Sequence, residues 1–509
     1  MRGPHNIWRL IRIGATFERT GAMRVVLDAV DAPPLLRVAS RFLGIPFFWL
    51  GLKGDPTMPP VLRAITALGP VYIKFGQLFS TRPDVVGADL AKELQVLQDK
   101  LPPFPTDAAK TAVRTAIGQG TDDVFEDFSD AVAAASIAQV HKARLAQTGQ
   151  EVAVKVLRPG IERAFARDID AFYFAARMIE ILSPASRRLK PMDVVDHFKG
   201  VVDGELDLRL ECAAAAEFKV NTERDDRFEV PAVNWDLSAR RVMTLEWVEG
   251  TPMHDVAALQ AAGQNLPEIG RRVLALFLSH ALRDGYFHAD MHQGNLKVGP
   301  DGSILALDFG IMGRIDEYTR RVYAEILFGF IQRDYRRVAE VHFEAGYVPA
   351  DRDIDDFARA LRTIGEPIFG QDAQHISMAR LLTHLFEVTE LFGMETRTEL
   401  ILLQRTMVVV EGVARSLDPS INIWEVAKPV VETYIHDNVG PKALARDLFK
   451  TAMVLSRFGP RLPALAEAAL IRLSGGEETP PQRGWGSRLG WMFLGAAFAV
   501  GVGLIVVHL

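Results

Sequence analysis

The sequence predicts an α+β protein, and three observations carry that prediction. From about residue 131 to 160 apolar and polar side chains alternate with period two, whereas the chain before and after repeats its apolar residues at helical spacing. Gln139–Leu145 and Glu151–Leu157 flank Gln147-Thr148-Gly149-Gln150, the pattern of two strands joined by a tight turn. Asn295–Val298 and Ile304–Leu307 flank Gly299-Pro300-Asp301-Gly302 in the same way.

The 509 residues are enough for about three domains. Hydrophobic residues make up 49% and charged residues 24%, which excludes wholesale disorder. Lys plus Arg number 58 and Asp plus Glu 64, a net charge of −6, so general nucleic-acid binding is not expected. Cys212 is the only cysteine, which excludes an internal disulfide and a cysteine-based zinc site.

Residues 1–60 read as a helical extension. Arg2, Arg9, Arg12, Arg19 and Arg24 interrupt it, so it is not a cleavable signal peptide. Ile7, Trp8, Leu10, Ile11 and Ala15 share one helix face opposite Arg9 and Arg12. Such a face either lies on a membrane surface or packs on the chain's own core. Phe47-Phe48-Trp49-Leu50 is too short to span a bilayer, and is either buried or interfacial. Helical spacing resumes over 61–118 with a break at Leu101-Pro102-Pro103-Phe104-Pro105, and again over 161–224, 265–287 and 316–473; Arg241–Glu246 reads as a strand. Residues 474–488, beginning Ser474-Gly475-Gly476, form a linker. Residues 489–509 carry no formal charge and, as a helix, reach roughly 30 Å, the thickness of a bilayer core. Arg483 and Arg488 just before this run place the body on the cytoplasmic side. Gly495, Ala499 and Gly503 are spaced as a small-residue packing face, a spacing that the glycine and alanine content of many spans also produces.

Chemistry concentrates in the middle third. His288-Ala289-Asp290-Met291-His292-Gln293-Gly294-Asn295 fits H-x-D-x-x-x-x-N, Asp308-Phe309-Gly310 follows an apolar strand, and Lys155 sits in Ala153-Val154-Lys155-Val156. In this order these are the parts of a kinase-type phosphoryl-transfer site. Asp290 can accept a proton from a hydroxyl or water, Asn295 and Asp308 offer hard oxygens to Mg²⁺, and Lys155 suits nucleotide phosphates. His141, His288 and His292 lack paired ligand spacing and read as structural or positioning groups.

Further motifs make the resemblance specific. Lys74-Phe75-Gly76-Gln77, continued by Ser80, Arg82, Pro83 and Asp84, is a K-x-G-Q signature. Ala133–His141 is an alanine-rich loop where ordinary kinases have glycines, and Glu205-Leu206-Asp207 is an E-x-D motif. With these the chain resembles the UbiB-like atypical kinase family, linked to ubiquinone biosynthesis, through motifs over residues 61–330. The resemblance implies a protein-kinase-like two-lobed fold. It assigns 61–130 to the K-x-G-Q extension, 131–250 to an N-lobe and 251–473 to a C-lobe, with one transmembrane helix at 489–509. It implies that Glu211 pairs with Lys155, and that Ala133, Ala134, Ala135, Ser136, Lys155, Glu246 and Val248 contact ATP or ADP. Lys74 and Gln77 would act as regulatory residues, the extension covering the substrate cleft opposite Glu205 and Asp207. Alanines still offer backbone N–H groups to a nucleotide, on a stiffer loop than glycines would.

The family usually has proline where this chain has Met291 and Gln293, which bears on the rigidity of the catalytic loop. Bacterial relatives often carry two terminal spans, against one here. The activity implied is a membrane-anchored kinase or ATPase acting on, or giving access to, polyprenyl lipid intermediates, with water, lipid or protein as acceptor. Its expected setting is the bacterial inner membrane. Its implied partners are membrane lipids, polyprenyl quinone precursors, other ubiquinone-biosynthesis proteins and a second copy in a homodimer. A nucleotide-binding scaffold without turnover and a true protein kinase stay open beside it. Hydroxylation chemistry has no flavin fingerprint or iron-ligand set to support it.

Overall fold

Alternation along the central strands decides which side of their sheet becomes core. In a computed structural model that describes residues 5–29, 45–80, 88–94, 102–182, 190–369, 388, 391–394 and 398–438, four antiparallel strands stand in the order β1-β2-β3-β5. They are β1 (Phe125–Ala134), β2 (Ala138–Leu145), β3 (Glu151–Leu157) and β5 (Val242–Glu246). Val152, Val154 and Val156 of β3 are buried with Phe125, Ala143, Leu145 and Val242, closed by Val113 of α6 (Thr106–Ile117). The turn between β2 and β3 needs Gly149, whose φ of +70° lies in the left-handed region. β1 begins six residues earlier than the period-two signal. Glu126, Asp127 and Asp130 face outward along an irregular ladder, which masks the strand in the sequence, while Phe125 is buried opposite Leu145.

The chain divides into two compact units. The first contains this sheet and the helices up to Cys212, with Val233–Trp247. Its N-terminal helices are α1 (His5–Thr20), α2 (Ala22–Ala29), α3 (Pro60–Leu68), α4 (Pro70–Ser80) and α5 (Ala88–Leu94). Leu10 and Ala15 of the expected apolar face are buried together with Ile13 and Phe17, and Arg9 pairs with Asp168 at 3.0 Å, so the later part of α1 packs on the chain's own core. Ile7 and Trp8 at its start remain exposed. The turn Ile45–Leu50 likewise exposes Phe48 and Trp49, and Gly51 crosses α1 so closely that a Cβ would lie 2.2 Å from the Ala15 carbonyl oxygen. Two longer helices, α7 (Ile161–Leu182) and α8 (Pro191–Glu205), pack on each other. The next helix, α9 (Leu208–Thr222), starts in this unit.

The second unit takes Ala213–Ala232 and Val248–Pro481. It holds a four-stranded sheet ordered β4-β9-β8-β6 and a pair β10-β7. The strands are β4 (Phe228–Glu229), β6 (Thr251–Pro252), β7 (Tyr286–His288), β8 (Leu296–Val298), β9 (Ile304–Ala306) and β10 (Met312–Arg314). The helical signal over 265–287 needs correction: α10 (Leu266–Ser279) gives way to a π turn at His280–Asp284, Gly285 takes φ +66°, and Tyr286–His288 becomes a strand against β10. Beyond Asp316 the unit is helical, with α11 (Glu317–Gln332), α12 (Tyr335–Glu344), α13 (Ile354–Phe369), α14 (Thr398–Leu417) and α15 (Ile423–Asn438). α10 packs along α14 and α15, and Tyr335, Val338, Phe357 and Leu361 centre a separate core where α12 meets α13. Arg82, Pro83, Asp84, the linker at 474–488 and the apolar run at 489–509 lie outside the described residues. Among the described residues no helix is long and apolar enough to cross a membrane.

Candidate active site

In the first unit, burial of the three β3 valines leaves Lys155 on the opposite face of its strand, between Val140 of β2 and Met243 of β5. Its Nζ donates to Glu211 Oε1 at 2.6 Å, with both side chains largely buried. An ammonium held this way is pre-oriented on its strand, which suits phosphate binding. Glu246 ends β5 opposite Val152.

The alanine-rich segment is a hairpin end. Ala133 and Ala134 lie in β1 opposite Val140 and Gln139, and the Ala135 N–H donates to the Ala138 carbonyl at 2.8 Å. The Ala135 N–H is therefore committed inside the turn, contrary to the expectation that all three alanines present theirs to a nucleotide. Ser136 is fully buried, and its hydroxyl has no hydrogen-bond partner among the described residues. Residues unmarked by any motif hold this turn. Gln139 Oε1 accepts from the Phe104 N–H at 2.9 Å, Gln139 Nε2 lies 3.2 Å from the Phe104 carbonyl, and Arg158 Nη2 donates to the carbonyls of Ala135 and Pro102. His141 donates from Nδ1 to the Ser129 carbonyl and accepts at Nε2 from Gln139, and burial lowers its pKa.

The K-x-G-Q helix α4 is anchored by aromatic contacts: Phe75 lies 4.9 Å from Phe172 and 5.1 Å from Phe198, centroid to centroid. Lys74 on this helix pairs with Glu205 at 3.1 Å, both side chains mostly buried. Asp207 does not join them. It binds Arg209 through Oδ1 to Nε at 2.9 Å and Oδ2 to Nη2 at 2.6 Å, and this bond is the main cause of its lowered pKa. Of the expected pair, Glu205 meets Lys74 and Asp207 is taken by Arg209 instead.

In the second unit, Asn295 Nδ2 donates to the Asp290 carbonyl at 3.0 Å and to Asp290 Oδ2 at 3.2 Å. With its NH₂ engaged, Asn295 presents Oδ1, a neutral hard oxygen. The Leu307 N–H donates to the Asn295 carbonyl at 3.0 Å, which sets Asp308 beside it, and Asp308 Oδ1 accepts from the Gly310 N–H at 2.9 Å. The backbone bond joins the two segments that carry them, and a carboxylate with an amide oxygen is a donor set of the kind Mg²⁺ takes. His288 is buried and accepts the Asp290 N–H at Nδ1; burial lowers its pKa against the pull of Asp308 and Asp290. His292 Nε2 stands 3.6 Å from Asp290 Oδ2. Lys297 Nζ lies 3.4 Å from the Val248 carbonyl.

Met291 and Gln293 take the places of prolines without leaving the loop unsupported. Met291 is buried, and Gln293 Nε2 donates to Ser416 Oγ at 2.5 Å. Thr406 Oγ1 lies 3.0 Å from the Ala289 carbonyl and 2.8 Å from the Leu402 carbonyl of its own helix. Side-chain bonds from α14 therefore brace a loop more than a hundred residues upstream, a separation no local pattern reveals.

A strand lysine on a helix glutamate, an H-x-D-x-x-x-x-N loop and a D-F-G strand end define a protein-kinase-like fold. Residues 96–342 match the ABC1 atypical kinase-like domain, and residues 361–422 match the UbiB helical domain. The chain is 38% identical over 475 residues to a probable protein kinase UbiB of Aeromonas salmonicida, covering 92% of this chain and 86% of that one. It is 37% identical over 424 residues to the corresponding protein of Marinobacter nauticus, covering 82% and 77%. Among solved structures it resembles Rv3197 of Mycobacterium tuberculosis, determined in complex with erythromycin, with a TM-score of 0.51 and 26% identity over 65% of this chain and 83% of that one. The chain belongs to the UbiB-like atypical kinase family.

Proposed function

We propose that this protein is a membrane-anchored atypical kinase or ATPase that supports ubiquinone biosynthesis, turning over Mg-ATP to act on polyprenyl lipid intermediates or give access to them. The observation that carries the reading is the bonding of Asn295 Nδ2 to Asp290, which leaves Oδ1 of Asn295 out of those bonds while the Leu307 N–H on the Asn295 carbonyl holds the D-F-G strand end to the same loop. Mg²⁺ held by Asn295 Oδ1 and Asp308 would supply a Lewis acid that neutralises phosphate charge. Lys155, oriented by Glu211, holds the nucleotide phosphates, and Glu246, Val248 and the Ala133–Ser136 turn contact the nucleoside and phosphates. Asp290 aligns the acceptor. With water as acceptor, its oxygen bonds to the terminal phosphorus, its proton passes toward Asp290, and the bridging P–O bond breaks with its electron pair leaving on the nucleoside diphosphate. The ion pair between Lys74 and Glu205 supports a restraining role for the extension. The charge-free run at 489–509 supports a single-pass anchor in the bacterial inner membrane.

The test is Asp308→Asn, which keeps the shape and removes the charge. Mg²⁺ should strengthen binding of a non-hydrolysable ATP analogue by roughly tenfold or more in wild type and by less than about twofold in the variant. Equal Mg²⁺ dependence in both proteins would overturn the assignment.

A further inference from the structure

The catalytic loop carries an acid and an amide but no strong cation. Between Asp290 and Asn295 stand Met291, His292, Gln293 and Gly294, with neither lysine nor arginine. Phosphoryl transfer spreads negative charge over the terminal phosphate, and sites of this class place a cation against it. Lys297, the next lysine along the chain, lies against the Val248 carbonyl.

The helix that braces the loop supplies a candidate. Thr406 of α14 reaches the carbonyl of Ala289, the residue before Asp290, and Ser416 receives Gln293, so α14 is fixed against the loop at two points. Arg405, next to Thr406, is solvent-exposed and makes no hydrogen bond or ion pair among the described residues. The other arginine of α14, Arg415, is neutralised by Glu411 at 2.7 Å. Arg405 is nonetheless desolvated enough for its pKa to fall, and the charge it interacts with is that of Asp290. A guanidinium carried on the helix that is bonded to this loop, with no ion pair among the described residues, suits an oxyanion.

We propose that Arg405 is a phosphate-binding residue of this site, contacting the terminal phosphoryl group of the bound nucleoside triphosphate in place of a cation from the catalytic loop. This rests on the nucleotide-turnover reading above. It assigns the helical region a direct part in recognising the triphosphate as well as a bracing one.

The experiment compares full-length wild type, Arg405→Ala and Arg405→Lys in lipid vesicles, matched for thermal stability. Affinity is measured for ADP and for a non-hydrolysable ATP analogue, both with Mg²⁺, alongside the rate of ATP hydrolysis. Arg405→Ala should leave ADP affinity within about twofold, weaken the ATP analogue roughly tenfold and lower kcat by about a hundredfold or more, with Arg405→Lys recovering part of the loss. If wild type binds both nucleotides and Arg405→Ala leaves the ratio of their affinities and kcat unchanged, the role of Arg405 is overturned and the kinase reading stands. An equal loss of ADP and ATP-analogue affinity would also overturn it, because that marks a structural residue. Absence of nucleotide binding by wild type would overturn both readings together.

Discussion

His342 shows how a single residue ties this fold to pH. It sits buried near Phe357 and Tyr347, its Nδ1 donates to the Val338 carbonyl, and burial pushes its pKa down to about 4 from 6.5. The unfolded chain therefore takes up the proton first as the solution is acidified. The contribution is complete above pH 6.5 and declines as pH falls toward 4, by on the order of 3 kcal/mol in total. His342→Leu removes the titration, so its urea midpoint should fall less than that of wild type between pH 7 and pH 4. Parallel declines in the two proteins would show that His342 is not the source. Lys155, Asp290, Asn295 and Asp308 stand out in the chain as candidates because kinase-type motifs place those groups in that order. The supporting residues Gln139, Thr406 and Ser416 were not, since a glutamine or a hydroxyl acquires its role only from what it meets in space.

At the scale of elements, α4 and α8 meet through the ion pair of Lys74 with Glu205, set beside an aromatic cluster. Phe75 between Phe172 and Phe198 fixes the roll of α4 and so directs Lys74 to Glu205. The lysine is not a solvated decoration, and its removal leaves a mostly buried carboxylate without this partner. Lys74→Ala should cost about 1–2 kcal/mol of stability, much of it recovered by adding Glu205→Gln. If the pair restrains the active site, Lys74→Ala should also alter ATP hydrolysis or permit autophosphorylation that wild type resists, and both readouts belong in one assay. A double variant as unstable as the single one would argue that Lys74 and Glu205 are not energetically coupled. The K-x-G-Q and E-x-D motifs were both visible in the sequence, but which carboxylate Lys74 takes was not. Arg209 lies two residues from Asp207 and captures it first, a local competition that spacing alone leaves undecided.

For the whole molecule, the proposed anchor separates membrane attachment from the folded body. A chain ending at Gly476 should leave the membrane fraction in a high-salt wash, because salt screens the basic N-terminal helix while an apolar span is insensitive to it. Full retention after the wash would put the anchor elsewhere, with exposed Trp8, Phe48 and Trp49 the next residues to change. By itself the sequence determined the α+β class, the central hairpin, the order of the candidate phosphoryl-transfer motifs and the family resemblance, because alternation, turn chemistry and reactive side chains are local and leave periodic or punctuated traces. Only the tertiary structure decided that β1 starts at Phe125, that Tyr286–His288 is a strand, that Ala135 uses its N–H within its own turn, and that α14 braces the catalytic loop. Those outcomes depend on partners brought together from distant parts of the chain. A two- or three-residue strand has too few positions to show a period, and a hydrogen bond between Ala289 and Thr406 exists only once both have been packed into place.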